Sequence, residues 1–405
     1  MRVLLVAGKG GVGKTTLAAA TALAAARGGG RTLLVSTDPA HSLTDVLGMT
    51  GTSGRAGEWR VAAQPVAVPG APGDLDVLQI DTRARLDSAW TTLRGTLGGL
   101  LGDAGVDPLV AEEIAAVPGV DDILALLEVG SYVDGYDNVV VDCAPTAETL
   151  RLLALPEALD RLVSRAFPID RRIARLLGPS GMSPSTASAV DALEQVARDL
   201  TAVRDLITAP HACVRLVTTP ERVVLAETER ARTTLAMLGH HVDGVVVNRV
   251  AVGEGWPAAL SERHRDMLVT ARDRFADLPV RFAPYAGAEP VGVESLLELA
   301  EAVLGGDDPL DLGAARASTE VRADGDRWFL DVSVPGADFD DLDIAVTVDG
   351  DLVVDLGPHR RVIALPAVLR RCEVSGASLD LTDAGQVVRV HFDRDLEHWH
   401  TGARS

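Results

Sequence analysis

The sequence predicts a doubly wound α/β domain followed by a small all-β sandwich, and three observations carry that expectation. Short, near-continuously apolar runs alternate with longer helical patterns through residues 1 to about 305, as strands buried on both faces of a parallel sheet require. The first of these runs leads directly into a glycine-rich loop and an Ala-rich helix. After residue 319 the pattern changes to period-two alternation with short turns, the mark of an antiparallel sandwich.

Taken in order, the apolar runs are Val3 to Ala7, Thr32 to Ser36, Val77 to Ile80, Asn138 to Val141, Cys213 to Thr218, Gly244 to Asn248 and Val280 to Phe282. In a doubly wound sheet, ligands sit at the carboxyl ends of such strands. Residues of about 83–130 and 150–210 are too long for simple crossovers and read as helical insertions. The acidic bias is strongest near them: residues 101–150 hold eleven Asp or Glu and no Lys or Arg. Gly305-Gly306-Asp307-Asp308-Pro309 opens a linker over 306–319, which places one domain at 1–305 and a second at 320–394. In the second, strands are expected at Trp328 to Val334, Leu342 to Val348, Leu352 to Leu356, Arg361 to Leu365 and Val387 to Phe392, with a polar tail over 395–405.

Composition excludes several classes of function. The 405 residues carry 38 Lys plus Arg against 58 Asp plus Glu, a formal net charge of −20. That disfavours a broad nucleic-acid-binding face and adhesion to anionic membranes. Cys143, Cys213 and Cys372 are far apart in sequence and form no Cys-x-x-Cys pair, so neither a disulfide framework nor a cysteine zinc site is expected. The longest apolar stretch, Thr15 to Ala26, falls short of the roughly 20 residues that span a bilayer. A cytoplasmic protein without direct membrane insertion is the expectation. Among the 38 basic residues only Lys9 and Lys14 are Lys. Both lie in the glycine-rich loop, which marks it as a place where Arg does not serve.

That loop is Gly8-Lys9-Gly10-Gly11-Val12-Gly13-Lys14-Thr15-Thr16. Between a strand and a helix, its glycines let backbone N–H groups converge on phosphate oxygens, and the helix N-terminus adds a favourable dipole. Lys14 is placed to reach the β and γ phosphates of ATP, and the Thr15 hydroxyl to ligate Mg²⁺. Asp38 follows the second strand in Asp38-Pro39-Ala40-His41-Ser42, where a carboxylate can orient an attacking water. Asp142 ends the strand Val139-Val140-Val141, where a carboxylate holds Mg²⁺ through a water.

The extra Lys9 resembles the "deviant Walker A" variant of the phosphate loop, whose signature lysine reaches a nucleotide in the facing subunit. Asp38 to Leu43, with Ala144-Pro145-Thr146 and Thr149-Leu150-Arg151, resembles switch I and switch II of the arsenite-pump and tail-anchored-protein-targeting ATPase family. The resemblance runs over residues 1 to about 304. It extends through Pro118-Gly119-Val120-Asp121-Asp122, Pro220-Glu221 with Glu227-Thr228-Glu229-Arg230, Val246-Val247-Asn248-Arg249, and the adenine-side loop from Pro284 to Val293. It implies Asp38 as the water-activating residue, Asp142 as the magnesium-water residue, and Asn248 with Pro284 on the adenine. It also implies a homodimer, since one phosphate loop is present and not two.

Departures narrow the role. Switch II reads Thr146-Ala147-Glu148-Thr149 where the family usually has Thr-Gly-His-Thr, and Val291 stands where Arg is common. The zinc-binding cysteine pair of the eukaryotic targeting factor and the metalloid-binding cysteines of arsenite pumps are both missing, so no zinc is expected. Of five Met, only Met182 falls in a helical insertion, which speaks against a Met-rich client groove. Residues 325–392 resemble the α-crystallin domain of small heat-shock proteins, through Val334-Pro335-Gly336, Asp340-Asp341-Leu342, Gly350-Asp351-Leu352, Arg360 to Pro366, and Gly376-Ala377-Ser378-Leu379, without the usual Ile-x-Ile tail. The whole reads as a Mg²⁺-dependent ATPase that couples its cycle to a protein client, hydrophobic or tail-anchored. The alternatives are the ATPase subunit of an arsenite or antimonite pump, and a nucleotide-gated holdase.

Overall fold

The computed structural model describes residues 1–37, 42–49, 63–80, 129–130, 132–143, 198, 201–202, 205–311, 319–325, 327–337, 339–347, 350–357, 359–382 and 385–394. In chain order these form β1 (Arg2–Ala7), α1 (Lys14–Arg27), β2 (Thr32–Ser36), α2 (Ser42–Val46), β3 (Gln64–Val66), β4 (Leu75–Gln79), β5 (Asn138–Asp142), β6 (Ala212–Thr218), α3 (Arg222–Met237), β7 (Val242–Val250), α4 (Ala258–Arg274), β8 (Val280–Pro284) and α5 (Val293–Leu304). The remainder is all-β: β9 (Thr319–Asp324), β10 (Arg327–Ser333), β11 (Leu342–Val346), β12 (Asp351–Leu356), β13 (His359–Ala364), β14 (Cys372–Thr382) and β15 (Gly385–Arg394). The expected helical insertions lie outside the described residues, apart from 129–130, 198, 201–202 and 205–210, and so does the tail.

The chain divides into two compact units, Met1–Ala212 with Ala286–Asp311, and Cys213–Tyr285 with Leu312–Ser405. In the first, the strands run β3-β4-β2-β5-β1. All neighbours are parallel except the β3–β4 pair. The Val and Leu runs are buried because this sheet is covered on both faces: Leu4, Leu33, Leu34, Val35, Val139 and Val140 have no exposed surface. Each such side chain stabilises the fold by about 1.5–3 kcal/mol before entropy is counted. The alanines of α1 keep that helix slim, so it packs on the sheet and on α5. Gly28 closes α1 by donating to the Ala24 carbonyl, and Gly305, left-handed at φ 60°, stops α5. Arg2 ties the lower edge, with Nε donating to Asn138 Oδ1 at 3.0 Å and a guanidinium nitrogen 2.5 Å from Asp308.

In the second unit β6, β7 and β8 are parallel neighbours. Arg215 on β6 and Asp243 on β7 form a buried ion pair at 2.5 Å. The all-β part is a sandwich of β14-β15-β10-β9 on β11-β12-β13, as the alternation predicts. Two of its strands, β9 and β14, were not among the expected ones; β9 begins at Thr319, the last residue of the expected linker.

The sandwich core contains a residue from outside it. Met237, the last residue of α3, is 2% exposed and packs with Leu330, Val332, Leu352, Val354, Val390 and Phe392. Around it, Arg361 donates to the Ala236 carbonyl at 3.0 Å, and Thr233 Oγ1 donates to the Pro335 carbonyl at 2.6 Å. Carbonyls at a helix C-terminus have no partner within the helix, and here the sandwich supplies one. Met237→Ala should therefore destabilise the full chain by about 2–5 kcal/mol in guanidinium unfolding. Val223→Ala on the exposed face of the same helix should stay within about 0.5 kcal/mol. Equal effects would mean that Met237 does not belong to the sandwich core.

Candidate functional site

The phosphate loop turns where its glycines allow it. Gly11 has φ 80° and Gly13, the N-cap of α1, has φ 95°, a left-handed conformation that L side chains rarely adopt. No side chain caps α1 and its first turn holds no acid, so its leading N–H groups face the loop. Val12 is buried at 3% exposure and anchors the loop from below. Lys14 is 6% exposed, with Nζ donating to the Lys9 carbonyl at 3.3 Å, whereas the Lys9 side chain is exposed. The two lysines thus have different settings: Lys14 is buried in its own loop, and Lys9 is exposed.

Strand register assembles the acidic side. Asp142 ends β5 opposite Val6 of β1 and Ser36 of β2, and is 1% exposed. Ser36 Oγ donates to Asp142 Oδ2 at 3.1 Å, and the Thr37 N–H donates to the Asp142 carbonyl at 3.1 Å. Ser42 Oγ, at the start of α2, lies 3.2 Å from Thr15 Oγ1. Hydroxyl and carboxylate oxygens are the hard donors that Mg²⁺ takes. The donor set of Thr15 and Asp142 therefore fits that ion. Among the described residues no group of three His, Cys, Asp or Glu could hold a metal.

Asp38, Pro39, Ala40 and His41 of the expected switch I lie outside the described residues, as do Ala144, Pro145 and Thr146 of switch II. Ser36 and Thr37 are partners of Asp142 that sequence reasoning assigned no role. Their signal was a strand that changes from apolar residues to hydroxyls at its carboxyl end.

In the second unit, Asn248 and Pro284 come to the carboxyl ends of the neighbouring strands β7 and β8. Asn248 is 9% exposed, and its Oδ1 accepts the Arg249 N–H at 2.8 Å. Arg249 is the non-glycine residue with positive φ among those described, at 58°. That kink breaks the register between β7 and β8 after Val247. Three contacts hold the kinked segment: Ala251 N–H donates to His264 Nδ1 at 3.0 Å, Tyr285 N–H donates to the Val250 carbonyl at 3.0 Å, and the Tyr285 ring meets Trp256 edge to face at 5.1 Å. His264 was not anticipated, since a histidine in a polar helix carries no sequence signal of its own.

A strand, a glycine-rich loop with a buried lysine, a helix, and an acid at the end of a neighbouring parallel strand define a P-loop nucleotide hydrolase. Residues 1–305 match the family model of the anion-transporting ATPases, and residues 325–392 match that of the HSP20-like domain found in ArsA. The chain belongs to the anion-transporting (ArsA) ATPase family. It is 34% identical to a protein of Mycobacterium tuberculosis, over 99% of this chain and 98% of that one. It is 32% identical to a putative arsenical pump-driving ATPase of Prosthecochloris vibrioformis, over 100% and 99% of the two chains. The ATPase GET3 of Debaryomyces hansenii is 28% identical, over 76% of this chain and 91% of that one. Like its relatives the chain is an ATPase. No described helix is long and apolar enough to cross a membrane.

His264 gives the kinked segment a pH dependence. Burial first, then the charge of Arg263, push its pKa below the ordinary 6.5, while Glu221 works against them. The unfolded chain therefore takes the proton before the folded one does. Stability linked to neutral His264 is complete above about pH 6.5 and is lost as pH falls below that value. Unfolding free energy measured from about pH 8 to pH 5 should fall at the acid end more steeply in the parent than in His264→Gln. Parallel profiles would contradict the role of Nδ1 as acceptor.

Proposed function

We propose that the chain works as a homodimeric, Mg²⁺-dependent ATPase whose cycle of ATP binding and hydrolysis opens and closes a surface for a protein client. The observation that carries this reading is the division between the two lysines, Lys14 buried against the Lys9 carbonyl and Lys9 exposed. Lys14 serves the nucleotide of its own subunit, and Lys9 that of the facing one. Loop N–H groups from Gly8 to Lys14, with Thr15 and Thr16, hold the phosphates. Asn248, with Pro284 beside it, reads the base.

Thr15, and Asp142 through a water, would hold Mg²⁺, which supplies positive charge to the phosphate oxygens. Asp38 orients the water that attacks the γ-phosphorus, and the bond to ADP breaks as the new P–O bond forms. The two ammonium groups stabilise the charge that spreads over the transferred group. The client is a hydrophobic or tail-anchored protein, and the site of action is the cytoplasm. A metalloid pump is the second reading, favoured by relatives such as the putative arsenical pump-driving ATPase of Prosthecochloris vibrioformis. Burial of Cys143 and Cys213 weighs against it. Arsenite or antimonite stimulation of ATP hydrolysis would decide for it.

Lys9→Arg should lower kcat by about tenfold or more while leaving ATP affinity within about threefold, because an interaction made chiefly in the transition state is lost. Asp38→Asn should bind ATP and turn over about a hundredfold more slowly or worse. Steady-state rates and equilibrium titration with ATP separate the two quantities. Full activity in Lys9→Arg would remove the facing-subunit role, and full activity in Asp38→Asn would remove the water-orienting one.

A further inference from the structure

β7 does not run regularly to its end. Val247 stands opposite Phe282 of β8 and Val250 opposite Pro284, which leaves Asn248 and Arg249 against the single residue Ala283. Two residues against one make a β-bulge, a device that bends a strand and re-aims a side chain beside a site. Its second residue, Arg249, has φ 58°, where glycine is unstrained and an L side chain is not. Among the described residues no other non-glycine takes a positive φ.

The Arg249 side chain does not impose that conformation. The residue is exposed, and among the described residues no hydrogen bond or ion pair engages its guanidinium. The backbone is what the kink puts to use. In a regular ladder a strand N–H pairs with a neighbouring strand, whereas the Arg249 N–H donates to Oδ1 of Asn248 at 2.8 Å. Both sides of the kink are held: Val247, Val250 and Ala251 are buried, the Val250 carbonyl accepts the Tyr285 N–H at 3.0 Å, and the Ala251 N–H donates to His264 Nδ1 at 3.0 Å. A strained residue persists where its surroundings over-determine it, and such residues gather at functional sites.

We propose that Arg249 is a positioning residue that makes Asn248 select adenine over guanine. The inference rests on the reading of Asn248 as the residue that meets the base. A carboxamide has nearly the same shape either way round, and an unheld one turns to suit its ligand. A backbone N–H can meet only its carbonyl oxygen, so the Arg249 N–H fixes which way round the amide of Asn248 sits. Adenine offers an N6 donor beside the N7 acceptor, whereas guanine offers two acceptors, O6 and N7, on the same edge. The held Oδ1 has a second lone pair for the N6–H, and Nδ2 donates to N7. Guanine would set O6 against Oδ1, acceptor against acceptor. The amide could not turn to relieve that without giving up the Arg249 N–H, so the wrong base leaves a polar pair unmatched.

Equilibrium titration of the full chain with ATP, GTP and tripolyphosphate, each with Mg²⁺, tests the inference without reference to turnover. The parent should bind ATP about tenfold or more tighter than GTP. Arg249→Val, whose branched side chain does not tolerate a positive φ, should bind ATP about tenfold more weakly and bring the ATP-to-GTP ratio within about threefold of one. Its affinity for tripolyphosphate, which has no base, should stay within about threefold of the parent. Arg249→Gly keeps both the N–H and the conformation, so it should retain the parent's ratio to within about threefold. Where Arg249→Val melts too early for titration, Arg249→Ala should lower the ratio by about threefold or more. A ratio lost in Arg249→Gly would assign the selection to the guanidinium and overturn the inference; a ratio retained in the Val and Ala variants, or a parent without preference, would overturn it too. Asn248→Ala separates the inference from the reading beneath it. Loss of the ratio there, with the ratio retained in Arg249→Val, would sink the inference alone, and a ratio kept in Asn248→Ala would sink the base-reading role and the inference together.

Discussion

The candidate site depends on the position of β5 between β2 and β1. Its three central valines are buried on both faces, so the strand cannot slide without exposing apolar surface or breaking two hydrogen-bond ladders. That fixed register brings Asp142 level with Val6 and Ser36. The acid then receives the Ser36 hydroxyl, while its carbonyl receives the Thr37 N–H. A carboxylate that is 1% exposed is expensive to bury unless hydrogen bonds compensate, and the register of β2 delivers one. Packing of apolar strands thus sets the geometry of the polar residues that follow them.

Strands buried on both faces were legible because they leave a run of Val and Leu that needs no partner to be recognised. The phosphate loop was legible because glycine positions, lysine and the following helix all point the same way. What escaped depends on information outside the local pattern. β3 has three residues and a Pro, so no periodicity can mark it. β9 was not expected as a strand because its strand character comes from pairing with β10. A bulge shifts the alternation of β14 midway. The kink at Arg249 was equally hidden, since Arg gives no hint of a positive φ and the His264 contact that holds the segment comes from thirteen residues further on.

Met237 shows the same limit at the scale of domains. By sequence it ends a helix of the α/β region, and by packing it belongs to the sandwich. The sandwich also supplies the guanidinium of Arg361 to the end of that helix. β7 follows α3 directly and carries Asn248 at its far end. Within this unit, the helix that the sandwich grips is therefore one short turn from the strand that presents the proposed base reader. A sandwich tethered only by a linker could be lost without consequence for β7; one that buries the last residue of α3 cannot.

The use of Lys at only two of 38 basic positions now has a structural argument for each. Lys14 curls back so that its ammonium, three donors on one compact atom, reaches the Lys9 carbonyl at 3.3 Å. A guanidinium is longer, planar and forked, and does not present the same single compact donor atom. For Lys9 the constraint is different, because the residue is exposed. In the role proposed for it, the advantage of an ammonium is its compact charge, a point and not a plate. Arg elsewhere in the chain does what a fork does well, gripping Asp331 through Arg389 and Asp243 through Arg215 with paired bonds. Forks thus stand where carboxylates are bound, and the two ammonium groups stand in the glycine-rich loop.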